Sequence, residues 1–360
     1  MVLEVFHVSE DDSIRVDANR LRSTVEALFK SAGMPEHDAI IGTDCLLSAD
    51  LRGVDSHGVS NMLRVYMQNI NDGVINPAPN WKITNERLST ANIDCDRGLG
   101  IVIAPQAMEI AIEKAKKSGI GVVTMANGAH AGMVAYHAML ALKHDMIGMS
   151  MTAAGAQVLP TFGAEPRLGT NPIAVAAPAD KERPFVFDAA TSSVAVNKIN
   201  LAKRMNVAIP GGLVAHADGT PILEESLVPD NYKLLPTGST REQGSHKGYA
   251  LACMVEILCS IMSGSGFGFS NERGRAQSYV AAYDVSAFTD VNEFKSTMDE
   301  FIKSLRETPP APGQNGVVIP GHPEFDEEIE RGQKGIPLHK EVIQWFDDIC
   351  GELGINSIWK

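Results

Sequence analysis

The sequence predicts a two-part α/β fold, with a helical unit built from both ends of the chain and a central unit in which strands and helices alternate. Three observations predict it. At 360 residues the chain exceeds what one hydrophobic core usually organises. Apolar residues recur at helical spacing up to about residue 71, whereas short apolar strand-like runs alternate with helical patterns beyond residue 81. The end of the chain, Lys340 to Gly351, returns to an amphipathic helical pattern. Residues 1–80 with 288–360 are therefore expected to form the helical domain, and 81–287 the other.

Leu21, Val25, Leu28 and Phe29 lie one turn apart between Asp17, a capping side chain, and Gly33, so a first helix is expected from Val16 to Ala32. Pro35 suits the opening turn of a second helix ending near Leu51, and Ser60 to Asn71 reads as a third. The following elements are a strand at Ser89 to Cys95, a helix at Val102 to Lys117 and a strand at Gly121 to Ala126. Next come a helix at Val134 to His144, strands at Ile147 to Thr152, Ile173 to Ala177 and Phe185 to Asp188, and a helix at Ser193 to Met205. Gly211 to Gly244 is rich in Gly, Pro, Asp and Thr and reads as loops, a length of irregular chain that often carries function. Lys247 to Ser263 is strongly apolar and reads as a buried helix, too short to span a membrane and interrupted by Glu256. Asp290 and Glu293 match a capping box opening a helix to Arg306.

A net charge of -13 and the lack of any long basic run argue against a nucleic-acid partner. The same charge repels anionic ligands at long range, so an oxyanion pocket must be made from local positive groups. The five cysteines are scattered, odd in number and without C-x-x-C spacing, which suits reduced thiols in a cytoplasm. Four acidic residues among the first dozen do not fit a signal peptide, and no membrane partner is expected.

No G-x-G-x-x-G turn follows a strand, since Gly98-Leu99-Gly100 and Gly264 to Gly268 miss the spacing. Four other segments concentrate chemistry. Arg52 to Gly58 places Ser56 and His57 in a turn between helices, where an imidazole can pass a proton to a developing alkoxide or, equally, cap the turn. Asn127 to Gly132 places His130 in a strand-to-helix loop, where α/β folds seat ligands. Gly163 to Pro172, with Thr170 and Asn171, leads towards Asp188-Ala189-Ala190-Thr191-Ser192, small residues that let backbone amides approach a phosphate or ribose. Finally His246 and Lys247 open the apolar helix near its positive end. His137 and His144 follow His130 at seven-residue intervals; that spacing puts roughly 10 Å between successive imidazoles, too far for a shared metal, and a helix-surface role is expected for both.

In this order the segments RGVDSHG (52–58), the His130 loop, FGAEPRLGTNP (162–172), DAATS (188–192), HKGYAL (246–251) and IPG (319–321) resemble the malate/L-lactate dehydrogenase family of the second type. That family lacks the Rossmann fingerprint and includes reductases of 2-oxo acids, diketogulonate and cyclic imino acids together with ureidoglycolate dehydrogenase. The resemblance implies a non-Rossmann nicotinamide-binding domain with a mixed sheet, a homodimer, and NAD or NADP as cofactor with NAD the first choice. It further implies interconversion of a 2-hydroxy acid and a 2-oxo acid, with His130 as proton donor or acceptor and His57 as its partner. Imino acid reduction is the alternative activity within the family; the competing readings are a metal-dependent hydrolase using His57, His130 and Asp55, and a catalytically silent binding or scaffolding member of the same fold. Thr170, Asn171, Asp188, Ala189, Ala190, Thr191, Ser192, His246, Lys247, Pro320, Gly321 and His322 would contact the cofactor, and Ser56, Asn61 and Arg64 the substrate.

The chain also departs from the pattern. Asn61 stands where the family often has an Arg to grip a carboxylate, leaving Arg64, or Arg241 from the added length at Ser239 to Gly244, as the candidate cation. Ala153-Ala154-Gly155 replaces a polar pair, and His322 a Glu. Simple 2-oxo acids are accordingly expected to bind poorly, and a larger substrate to be preferred.

Overall fold

The computed structural model describes residue 6 and residues 8–268 and 275–357. Helix α1 (Ala18–Ser31) starts at Asp17, whose carboxylate accepts from the N–H groups of Asn19 and Arg20. Helices α2 (Glu36–Leu51) and α3 (Val59–Asn71) follow. Their apolar faces share one core, containing Leu28, Phe29, Leu46, Leu63 and Tyr66, with Phe346 from the far end of the chain. Strand β1 (Ser13–Val16) pairs antiparallel with a late strand, Ile336–His339, bringing the two ends together. Four residues are too few to display an alternation, which is why neither strand is visible in the sequence.

The central unit is a seven-stranded mixed sheet. It uses β2 (Lys82–Glu86), β3 (Thr90–Asp94), β4 (Ile120–Gly128), β5 (Met146–Ala153), β6 (Ile173–Ala177) and β7 (Phe185–Ala189). The short strands β8 (Val214–Ala215) and β9 (Lys233–Leu234) form a separate pair within the segment read as loops. Strand β10 (Ala276–Asp284) enters the large sheet between β4 and β5, antiparallel to both. It was not predicted. Its first seven residues are all buried, so it shows no alternation, and Val280 is its one β-branched residue. The late strand of the small pair is β11 (Ile336–His339).

Helix α4 (Gly100–Ser118) packs on β3, β4 and β10 through Ile103, Met108 and Ile112. Helix α5 spans only Val134–Met139, followed by a separate 3-10 turn at Leu142–His144, so the single helix expected to His144 is corrected. The chain must reverse into β5, and the Met146 N–H already bonds the Ala141 carbonyl. His137 is buried rather than on a helix surface, with Nε2 2.7 Å from the Ala131 carbonyl. Helix α6 (Val196–Met205) begins three residues later than expected.

Helix α7 (Ser245–Glu256) continues into a π-helical turn, Ile257–Ile261. The expectation of a buried helix is also corrected, since Leu251, Met254, Ile257, Ile261 and Met262 form an exposed apolar face. Helix α8 (Val291–Arg306) is capped by Asp290, and its Asp299 accepts from three backbone N–H groups of the β6–β7 connection. Helix α9 (His322–Lys334) was not expected, because its charged sequence carries no apolar stripe and buries only Arg331. Helix α10 (Lys340–Leu353) is the amphipathic helix read at the end of the chain. Among the described residues no helix is long and apolar enough to cross a membrane.

Candidate active site

A cavity of about 800 Å³ lies between the α2–α3 turn, the end of β4, the end of β7 and the start of α6. His57 and His130 meet in it, their rings stacked with centroids 5.6 Å apart and planes inclined by 12°.

His130 leaves the end of β4 in a loop packed against the start of α4. Gly100 makes that approach possible, because a Cβ there would lie 2.7 Å from the Ala129 carbonyl oxygen and the Ala131 Cα. His130 Nδ1 accepts the Gly132 N–H at 3.2 Å and lies 2.7 Å from Tyr66 Oη. A backbone N–H can only donate, so Nδ1 carries a lone pair and the neutral ring holds its proton on Nε2, the edge left for the cavity. Burial pulls the ring's pKa down to about 4. Burial also pushes the Tyr66 phenol well above its usual value, which keeps it a neutral donor.

His57 sits in a turn held from three sides. Asp50 accepts the Val59 N–H at 2.9 Å, Arg331 of α9 bonds both Asp55 (2.5 Å) and the Asp50 carbonyl (2.7 Å), and Asn197 of α6 donates to the Ser56 carbonyl (2.6 Å). Ser56 Oγ lies 2.9 Å from His57 Nδ1. Burial first, then the charges of His130 and Lys198, pull the His57 pKa to about 3. Asp188, facing the cavity at the end of β7, accepts the Ala135 N–H at 2.9 Å; shortage of water raises its carboxyl to about 7. Asp50 is fully enclosed, and burial raises it to about 8.

Of the residues expected from sequence, Ser56, His57, His130, Thr170, Asp188, Ala189, Ala190, Ser192, Pro320 and Gly321 lie on this wall. Others do not. Asn61 is turned away, donating to the Asp55 carbonyl at 2.7 Å, and Arg64 pairs with Glu341 across from Trp345, so neither brings a group to the cavity. Arg241 is exposed and off the wall. Asn171 and Thr191 are buried behind it: Asn171 binds Ala252 and Glu256 of α7, and Thr191 the carbonyls of Thr170 and Asn171. His246 and Lys247 open α7 one layer back, where Gly248 packs on the backbone of wall residue Thr237. His322 starts α9, its carbonyl accepting from Arg183. Sequence reasoning missed Tyr66, Asn197, Lys198 and Arg331. A phenol on the buried face of α3, one turn after Met62, is the signal that was available for the first.

A profile of the malate/L-lactate dehydrogenase family matches residues 16–347. The chain belongs to this family. It is 38% identical over 355 residues to a malate dehydrogenase of Pyrococcus abyssi, covering 97% of this chain and 98% of that protein. The solved malate dehydrogenase of Pyrococcus horikoshii OT3 superposes with a TM-score of 0.89 at 36% identity over 98% of both chains. The sulfolactate dehydrogenase of Methanocaldococcus jannaschii gives 0.86 at 34% identity, covering 95% of this chain and 98% of that one. The protein is thus a dehydrogenase of CH–OH groups that interconverts hydroxy and oxo acids with a nicotinamide cofactor. The wall suits such a group: the volume falls within the range of cofactor sites, and Ala189, Ala190 and Ser192 are small enough for close backbone approach.

Proposed function

We propose that this protein reduces a 2-oxo acid, or oxidises the matching 2-hydroxy acid, with His130 handling the proton and NAD the first-choice cofactor. The observation that carries the reading is the pair of bonds to His130 Nδ1, which presents a neutral Nε2–H to the cavity. A neutral imidazole can polarise a carbonyl and stabilise the alkoxide that forms from it. The bound cofactor supplies or takes the hydride at C2. In reduction, the oxygen takes the Nε2 proton and a proton from water replaces it on Nε2, so each turnover consumes one solvent proton and Nδ1 remains the acceptor of the Gly132 N–H. His57, stacked beside it, orients the substrate; Asp188, Ala189, Ala190, Ser192, Pro320 and Gly321 line the cofactor's side of the cavity.

The exposed apolar face of α7 gives the homodimer implied by the family resemblance a surface on which to form. A cytoplasmic location fits the five free cysteines.

The test is titration of NADH and NADPH into chelator-treated protein, followed by turnover of 2-oxo acids by wild type and His130→Ala. Saturable NADH binding is expected, with kcat lowered about 10²- to 10⁴-fold in the variant and cofactor affinity unchanged. Near-normal turnover by His130→Ala, or activity that returns only with zinc, contradicts the reading.

A further inference from the structure

Among the described residues the cavity wall carries two Lys or Arg side chains, Arg52 and Lys198. Arg52 is occupied: it is buried, its guanidinium lies 2.8 Å from Glu328 and it stacks 4.2 Å from the Phe325 ring centroid. Lys198 is different. It stands in the first turn of α6, half-buried, with its ammonium 5.9 Å from the Phe6 ring centroid and no ion-pair partner among the described residues. The residue before it, Asn197, donates to the Ser56 carbonyl and reaches Met62 Sδ at 3.2 Å, which ties this turn of α6 to the turn that holds His57. Lys198 therefore lines the same cavity as the stacked histidines, on a turn of α6 tied to the turn that holds His57.

We propose that Lys198 is the substrate's acid anchor: its Nζ receives an anionic group of the hydroxy or oxo acid, the role that Asn61 and Arg64 do not fill in this chain. The inference rests on reading the cavity as a 2-oxo acid site. An ammonium drawn out of water without a direct ion pair gains when an anion arrives, and burial lowers its pKa against the pull of Glu324, which lines the same wall. In a chain of net charge -13, such a local cation is what an anionic substrate requires. The other anion available is a cofactor phosphate; the bond that ties this turn of α6 to the turn of His57 favours the substrate.

Lys198→Met removes the charge and keeps the length, and Lys198→Arg restores a cation. Steady-state kinetics with oxaloacetate and pyruvate should show KM raised about 10- to 100-fold in Lys198→Met, the scale of one charge-assisted hydrogen bond, with kcat within about threefold and partial recovery in Lys198→Arg. Oxalate, a non-reacting dianion, titrated into the NADH complex should bind at least about tenfold more weakly to Lys198→Met, whose circular dichroism should match wild type. Unchanged KM and unchanged oxalate affinity, no oxalate binding by wild type, or a loss that falls on NADH affinity each overturn the anchor. Oxalate binding that needs Lys198 in a wild type turning over no 2-oxo acid overturns the functional reading and leaves the anchor standing.

Discussion

The two histidines of the cavity are held by opposite means. His130 sits on a loop fixed by the sheet beneath it, and its own ring is locked by two donors at Nδ1. The His57 ring stacks on His130 and hydrogen-bonds the Ser56 side chain, and its position comes from the backbone of its turn, clamped by Asp50, Arg331 and Asn197. The difference matches the two roles proposed for them. A group that must present one defined proton needs its tautomer set, whereas a group that orients a substrate needs only its place kept.

The sharpest way to break this contrast is to cut the clamp. Arg331 is buried and paired with Asp55, so Arg331→Met strands a carboxylate and should cost about 3–5 kcal/mol in chemical denaturation. Activity at permissive temperature should fall through KM more than kcat, because the His57 turn is displaced while His130 is not. Equal losses in both parameters would mean that the two rings depend on one clamp.

This difference also explains what the sequence could show. The His130 loop was legible because a strand, a glycine-bounded loop and a helix follow one another locally, and Gly121 to Ala126 reads directly as the strand that ends there. The clamp on His57 was not. Arg331 lies 276 residues from Asp55 on a helix without an apolar stripe, so no periodicity or spacing points to it. Strand β10 escaped for a related reason, since a strand buried on both faces among small residues has no alternation to read. Arg64 was a candidate cation because it follows Asn61 closely in sequence, and Arg241 because it stands on added loop length; neither criterion reports spatial distance from His57. Arg64 faces Glu341, whereas Lys198 comes from a separate helix.

A smaller effect is expected from Tyr66→Phe. It leaves Nδ1 with the Gly132 N–H alone, and the loss of one hydrogen bond of about 0.5–1.5 kcal/mol should lower kcat roughly 2- to 13-fold without changing NADH affinity. Since Tyr66 touches His130 and not His57, KM should hold. A KM effect with kcat intact would place the phenol in substrate binding instead.

A separate prediction concerns pH. Asp50 has a folded-state pKa near 8, above its ordinary value of 3.8, so the folded state holds a proton that the unfolded chain has already released. Its contribution to stability is full below about pH 4 and is lost as pH rises towards 8. Asp50→Asn cannot ionise. Relative to wild type, its stability should improve steadily between pH 4 and 8 and level off above, as read by denaturation midpoints across that range. A constant difference would show that Asp50 is ionised in the fold.

The most direct test of the account is the protonation state of His130 itself, followed by nitrogen-15 NMR of histidine-labelled protein between pH 8 and 4, with Tyr66→Phe and His130→Gln used to assign the ring. The account predicts a neutral ring protonated on Nε2 throughout the neutral range and gaining its second proton only near pH 4. A ring protonated on Nδ1, or one that titrates near its ordinary value of 6.5, would contradict it.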